Sequence, residues 1–477
     1  MAIALCVAPL LFALVAWILP SARLRPWIVP LGAGVHLALV VTALALGEPV
    51  EAFSGWLALD QLGRIALPLV SVLFAACSLY VPAYLRIRRG ERHRIFCGAL
   101  LAFLAMMTLI ILSHHLGLMW VALEANTLVS APLLYFNRNR RSLEATWKYL
   151  LIGSVGIALA LLGSFFLAYS ALPHASLVIE DLVREARAHA LALPWLHTAF
   201  VVLFVGYGTK MGLAPMHTWK PDAYGEAPGL VGALLAGGLT TCAFVALLRF
   251  YQICAAAGEA AFAQELMVAI GLLSMAVAGV FMARQRDFKR MLAYSSVEHM
   301  GILVLGIGVG GLAAFGSLLH LINNALTKGV MFMAAANIHR AYASKTVDGV
   351  SGALRRVPVS GALFLAGFFA VTGTPPFGPF VSEFTILRGI VEAGRYGVAA
   401  AFLVLLFVVF VGMGGTVLAV VQGTPKGDSP ESGFKDSLGT VGPALVLLAV
   451  VVVLGVWVPP ALDGALADAA RFVEAGK

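Results

Sequence analysis

Apolar runs of about twenty residues, parted by short polar connections, recur along the whole chain. A helix needs about that length to cross a hydrocarbon core at 1.5 Å per residue. The pattern predicts about fourteen spans, near 2–20, 27–46, 63–85, 95–113, 116–136, 145–170, 196–216, 229–253, 263–283, 291–309, 312–338, 358–392, 398–421 and 440–458. Two of these runs are interrupted. In Val202–Pro228, VLFVGYGTKMGLAPMHTWKPDAYGEAP, the apolar helix carrying Lys210 is broken by Gly212, Pro215 and a polar segment with His217, Trp219, Lys220, Pro221 and Asp222. In Ala370–Leu387, AVTGTPPFGPFVSEFTIL, Gly373, Pro375, Pro376, Gly378 and Pro379 break the run just before Glu383. Proline frees backbone carbonyls that lipid cannot satisfy, so a broken membrane helix lines a cavity or packs against protein.

The two breaks fall in the seventh and twelfth spans, an odd offset that reverses orientation in the membrane. This predicts an inverted-topology repeat. The expected fold class is an all-α polytopic membrane protein, read as one integral membrane domain. Residues 1–94 hold helices one to three, 95–253 and 263–421 the two five-helix repeats, and 440–477 the fourteenth helix and tail. The connection from Ser176 to Leu193 carries Glu180, Asp181, Arg184, Glu185 and Arg187 among apolar residues at helical spacing, and reads as a short amphipathic surface helix.

Composition agrees: 61% of residues are hydrophobic, 12% are charged and the mean hydropathy is +0.93, far from a soluble domain. The basic residues gather in alternate connections: Arg23 and Arg25; Arg86, Arg88, Arg89, Arg92 and Arg94; Arg138, Arg140 and Arg141; Arg284, Arg286, Lys289 and Arg290; Arg340, Lys345, Arg355 and Arg356; Lys426 and Lys435. The opposite connections, such as Gly47–Gln61 and Ala255–Ala263, hold acids and no bases. The positive-inside rule then places both termini outside, and explains the net charge of +8 without a nucleic-acid partner. The opening run MAIALCVAPLLFALVAWILP has no basic leader and no small-residue cleavage site, so it reads as a retained first helix of a protein in a bacterial cytoplasmic membrane. The five cysteines form no C-x-x-C pair and no dinucleotide fingerprint follows a strand, so redox chemistry, if served, rests on centres held elsewhere.

Charge inside hydrocarbon is costly and marks a pathway by default. Glu124, Lys210 and Glu383 each fall in or beside an apolar run. His320, Asn324 and Lys328 are spaced i, i+4, i+8, which puts them on one helix face over roughly 12 Å. Such a stripe suits proton passage through water, because histidine titrates near neutrality and buried lysine shifts readily; interhelical hydrogen bonding is the other reading. Glu144 and Lys148 are i, i+4 neighbours, either a local ion pair or a tuner of Glu124. Lys289 orients its helix at the interface, Glu298 and His299 reach deeper in the same run, and His217 lies beside the first break.

KMGLAPMHTWKPDAYGEAP, DFKRMLAYSSVEHMG, HLINNALTKG and TGTPPFGPFVSEF together resemble the proton-translocating, antiporter-like subunits shared by respiratory complex I, Mrp antiporters and membrane-bound hydrogenases. SLEATWKYLLIGSVGIALALLG and AYSSVEHMG are most similar to the F component of hydrogenase-4 and formate hydrogenlyase complexes. The resemblance implies fourteen helices and a polar axis in the membrane plane. On it, Glu124 is the acid paired with Lys210, His320 and Lys328 belong to the connecting axis, and Glu383 is the terminal group. No cofactor is expected on this chain; other membrane subunits and a soluble redox arm with iron–sulfur clusters and nickel–iron or flavin are the expected partners. One departure stands out: where many relatives place a basic residue in the eighth helix, GLVGALLAGGLTTCAF has Ala236 and its neighbours, so either the central relay is incomplete or His320, Lys328 and water compensate. A switchable Glu124–Lys210 pair is worth roughly 4 kcal/mol at an effective dielectric of about 20, enough to load and unload a proton. The alternatives are a cation/proton antiporter subunit, a membrane subunit of an inorganic-carbon uptake complex, and a structural anchor.

Overall fold

The computed structural model describes residues 1–47, 49–88, 93–173, 176–425 and 433–474. Arg89, Arg92 and Lys426 of the basic connections, residue 48 of the first acidic one and residues 475–477 of the tail lie outside the described residues. The first eleven helices are α1 (Ala2–Ile18), α2 (Arg25–Ala45), α3 (Gln61–Ile87), α4 (His93–Leu112), α5 (Leu116–Leu134), α6 (Arg140–Ser170), α7 (Ile179–Arg187), α8 (Leu193–Met211), α9 (Trp219–Glu226), α10 (Gly229–Leu234) and α11 (Thr240–Ala256). A π-helical turn at Leu235–Leu239 joins the last two into one rod. Then follow α12 (Ala260–Met282), α13 (Phe288–Val309), α14 (Leu312–Tyr342), α15 (Ala353–Arg356), α16 (Pro358–Val371), α17 (Gly378–Glu392), α18 (Tyr396–Val421), α19 (Leu438–Val456) and α20 (Pro460–Glu474). A two-residue hairpin, β1 (Glu51–Ala52) and β2 (Leu57–Ala58), pairs Glu51 with Ala58.

Among the described residues, ten helices are long and apolar enough to cross a membrane. The other four segments read as spans are α1, α8, α14 and the α16–α17 pair. Their shortfall has physical causes: α1 has 17 residues, α16 and α17 are two halves, and α8 and α14 carry the polar groups that lower hydropathy. Large apolar side chains such as Val280, Phe407 and Leu151 stand on the outer surface, as expected of a protein solvated by lipid. The interior runs the other way. The Gly229–Ala256 rod is wholly buried, and α13 nearly so.

α8, α12 and α14 pack against that rod; α6 packs on α8, and α13, α16 and α17 pack on α14. α6 and α8 touch backbone to backbone: a side chain at Gly206 would lie 2.6 Å from the Ala160 nitrogen. The expected amphipathic surface helix is α7, which buries Ile179, Leu182 and Ala186. The tail beyond the last apolar span forms α20 rather than loop, burying Leu466, Ala469, Ala470 and Val473.

Near the acidic connections, Arg249 of α11 is fully buried. It donates to the carbonyls of Ile111 at 2.6 Å and Ser113 at 2.7 Å and pairs with Asp60 at 3.1 Å, thereby capping α4. Asp60 also accepts from His114 and caps α3 through the Gly63 amide. Burial pushes its carboxyl up, but Arg249 and His114 together outweigh it and hold the group below the usual carboxylate range. A depressed folded-state pKa contributes stability above the ordinary aspartate value of about 4, which is lost as pH falls through the folded value. Asp60→Asn keeps the Gly63 cap and loses the charge, so it should cost about 1–3 kcal/mol at neutral pH. The gap between variant and wild type should narrow on acidification. Superimposable thermal melts of the two proteins in detergent at pH 7 would refute this.

Candidate proton-transfer site

Lys210 lies in the last turn of α8 and is completely buried. Gly212 ends the helix with φ +79°, a left-handed conformation that only glycine adopts freely. The chain then turns into α9, and Trp219 Nε1 covers the freed Thr209 carbonyl at 2.8 Å. The Lys210 ammonium donates to Thr127 Oγ1 of α5 and lies over the Tyr149 ring of α6, 5.6 Å from its centroid. Gly153 makes room for it: a Cβ there would sit 2.6 Å from Nζ.

Glu124 is one helical turn from Thr127 on α5. Its Oε1 accepts from Ser154 at 2.8 Å, and Oε2 has no hydrogen-bond partner. The expected Glu124–Lys210 pair is therefore not a direct contact: among the described residues no ion pair joins the two. Each ends on a different hydroxyl, Glu124 on Ser154 and Lys210 on Thr127. Glu124 is still near enough to act on Lys210 through space.

The second cluster gathers on α13. Lys220 of α9 is fully buried, donates to Ser296 Oγ at 3.1 Å and lies over the Tyr224 ring. Lys328 of α14 donates to the neighbouring Ser295 Oγ at 2.6 Å. One turn further along α13 are Glu298, whose Oε2 has no hydrogen-bond partner, and His299. His299 Nδ1 meets His320 Nε2 at 2.9 Å, and His320 Nδ1 meets Ser382 Oγ of α17 at 3.0 Å. Since the Ser382 hydroxyl donates to the Pro379 carbonyl, it accepts from His320 Nδ1–H. His320 Nε2 is then a bare acceptor for His299 Nδ1–H, and His299 Nε2 is left without a partner. Glu383 lies beside Ser382, buried, with Oε1 unpartnered and its other oxygen against Gly373 of the second break. Gly373 has φ +64°, so each break begins on a left-handed glycine.

The anticipated groups thus fall into two sets. Glu124 and Lys210 share one, joined to α6 by Ser154, Tyr149 and Gly153. His320, Lys328, Glu383, Glu298 and His299 share the other. Asn324 is buried beside the stripe with Oδ1 unpartnered. Its neighbour Asn323 makes the structural bonds instead, donating to the Gly378 carbonyl at 2.8 Å and so tying α14 to the start of α17. His217 is buried beside the stacked Phe281 and Tyr294 rings, hydrogen-bonded into neither set. Lys289 does hold its helix in place: its ammonium caps the end of α9 through the carbonyls of Gly225 at 3.0 Å and Ala227 at 2.6 Å.

Lys148 pairs with Glu144 at 2.7 Å and, beyond the local reading, with Asp222 at 2.8 Å. Asp222 also takes Arg290 at 2.6 Å, while Lys345 bridges Glu226 and Asp287. These residues line a polar cavity of about 900 Å³ among the basic connections. The cavity reaches Pro221 and Asp222, the two residues after Lys220.

Lys220 is the group that sequence reasoning passed over. Ala236 sits in the buried π turn, and the hydroxyls of Thr240 and Thr241 turn back to their own helix carbonyls. No ionisable side chain but Cys242 precedes Arg249 in that rod. Lys220 supplies a base from α9 instead, ten residues after Lys210 and on the serine next to the one that holds Lys328. Its signal was a lysine between tryptophan and proline directly after the first break. The Tyr149, Trp219 and Tyr224 rings run from Lys210 to Lys220, with neighbouring centroids 5.2 and 5.9 Å apart.

Residues 113–410, more than half of the chain, match the family described as NADH:quinone oxidoreductase/Mrp antiporter, TM. The chain is 38% identical over 337 residues to the hydrogenase-4 component F homolog of Methylacidiphilum infernorum, covering 69% of this chain and 70% of that protein. It is 32% identical over 400 residues to NADH-quinone oxidoreductase subunit 14 of Thermus thermophilus, covering 83% and 85%. Among solved structures, a chain of the Mrp complex from Dietzia aligns with TM-score 0.86 at 19% identity over 99% of this chain and 98% of that one. A chain of Thermus thermophilus respiratory complex I aligns with TM-score 0.77 at 26% identity over 96% and 97%. The broken helices, the buried lysines and the sequence match converge, and the chain belongs to the NADH:quinone oxidoreductase/Mrp antiporter membrane family.

Proposed function

We infer that this chain is the proton-translocating, antiporter-like subunit of a redox-driven membrane complex of the hydrogenase-4 or NADH:quinone oxidoreductase type. One observation carries the reading: three fully buried lysines, Lys210, Lys220 and Lys328, each end on a hydroxyl rather than a carboxylate. A buried ammonium without a bonded counter-ion is poised to lose its proton, and each hydroxyl can both accept and donate one. The route runs from Glu124 and Lys210 through Lys220 and Lys328 to His299, His320 and Glu383, with water bridging gaps that side chains do not close.

The redox centres that drive it sit on partner subunits. The paired breaks support two inverted repeats, 95–253 against 263–421, within a fourteen-helix domain. The basic connections support a cytoplasmic side for the cavity around Asp222 and an outer side for both termini. A Mrp-like cation exchange is the second reading, favoured by the fold likeness to the Dietzia complex. Against it, the Glu383 end is built from two imidazoles and few oxygens, a poor cage for Na⁺ or K⁺. With the assembled complex in sodium-free proteoliposomes, substrate turnover should acidify the lumen. An absolute requirement for Na⁺, or cation flux from this chain without its redox partner, would overturn the proposal.

A further inference from the structure

Three buried side chains from three helices meet at the second break: His299 of α13, His320 of α14 and Glu383 of α17. One ligand atom from each can be chosen so that all lie within 4.8 Å of one another. We propose that they form a binding site for a borderline divalent cation, Zn²⁺ above all, and that the bound ion interrupts the proton route.

Two imidazole nitrogens and one carboxylate oxygen make a donor set that suits zinc, and leave a fourth position for water. The nitrogens of His299 and His320 already face each other at 2.9 Å. On one tetrahedral ion at the usual bond lengths they would stand roughly 3.3 Å apart, so a shift of a few tenths of an ångström suffices. The ion takes the place of the hydrogen now shared by the two rings. That hydrogen moves to Nε2 of His299, where Glu298 Oε2 stands 4.0 Å away, so neither ring loses a proton overall. The second nitrogen of His320 is held by Ser382 at 3.0 Å. His320 thus has an outer partner that fixes its tautomer, the arrangement that orients histidine ligands around a metal.

The unpartnered atoms point the same way. His299 Nε2, Glu298 Oε2 and Glu383 Oε1 are buried polar atoms without hydrogen bonds. A divalent cation would give the unpartnered Glu383 oxygen a partner, and Lys328 would weaken the site only while it is protonated. Entry is by the turn between α16 and α17. Glu383 keeps 6% of its surface exposed where both rings have none, and its carboxylate lies directly behind Gly373. Binding stands on these residues alone; the block of proton transfer rests on the function proposed above.

The test is calorimetric titration of ZnCl₂ into the metal-stripped, purified full-length protein in detergent, with X-ray absorption at the zinc edge of the 1:1 complex. One zinc per chain is expected, with two imidazole nitrogens in its shell. Affinity should fall at least tenfold in His320→Gln and in Glu383→Gln, and stay unchanged in His217→Gln, a buried histidine away from the cluster. Melting temperatures of all variants guard against misfolding. A zinc shell without imidazole, or wild-type affinity in His320→Gln, would remove the site. Tight zinc binding with undiminished lumen acidification would retain the site and defeat the block.

Discussion

Lys210→Met is expected to stop proton translocation by the assembled complex, by roughly a hundredfold or more, the scale on which a positioned proton carrier contributes. The protein should still fold. Methionine nearly matches the volume of lysine, and replacing a buried charge by an apolar side chain of similar size is often neutral or stabilising. Thr127, the acceptor for Lys210, keeps its own bond to the Leu123 carbonyl at 2.9 Å, so no buried hydroxyl is stranded. A subtler pair of variants separates charge from position. Gly153→Ala places a methyl 2.6 Å from Nζ and must push the ammonium off Thr127 without removing it. Translocation should fall there too, by less than in Lys210→Met. The measurement is lumen acidification per turnover in proteoliposomes. Full acidification by Lys210→Met would show that the proton does not pass through this residue.

The single-position signals were legible because hydrocarbon tolerates so few polar groups. A lysine in VGYGTKMG, a histidine and a lysine in HLINNALTKG and a glutamate after TGTPPFGP each stand out against an apolar run, and each proves buried. The breaks were legible for the same reason, since Gly and Pro are placed where a helix would otherwise continue. What stayed hidden is depth and partnership. Lys220 lies among Trp, Pro and Asp near a basic connection, and linear order gives no means of telling an interfacial loop from a helix folded back into the interior. The serines and threonines that receive the lysines look like any hydroxyl that returns its bond to its own helix, as Thr240 and Thr241 do. Counting by fours from His320 selects Asn324, yet the bond to the start of α17 at Gly378 is made by Asn323, about 100° around the helix. The Glu124–Lys210 pairing was right in neighbourhood and wrong in contact, because neither residue foretells that Glu124 ends on Ser154 and Lys210 on Thr127.

The two clusters share a plan. In each, an interrupted helix brings a charged side chain to the interior beside its break, a left-handed glycine starts the break, and intact neighbours supply hydroxyls: α5 for Lys210, α13 for Lys220 and Lys328. The charge therefore sits where irregular backbone already requires a polar, protein-lined environment. This places the costliest groups where they cost least.

The link between the clusters is Lys220, and Lys220→Leu is expected to break it, reducing acidification per turnover by about two orders of magnitude while the complex still assembles. The reasoning is one of position. The wholly buried α10–α11 rod has no base before Arg249 and no lysine at all, so it offers no ammonium between Lys210 and Lys328. Lys220 fills that gap at 3.1 Å from Ser296, one residue along from the serine holding Lys328, so the two ammonium groups end on adjacent residues of α13 and repel when both are protonated. Such repulsion makes simultaneous protonation costly and so passes a proton on rather than storing it. Leucine retains the apolar packing of the lysine stem, which lies against Gly212. Lys220→Arg offers the opposite test: it keeps the charge and cannot release a proton, so it should fail as badly as leucine if transfer is the role. Arginine restoring acidification that leucine abolishes would mean that Lys220 acts by its field alone, and that the proton crosses from Lys210 to Lys328 through water.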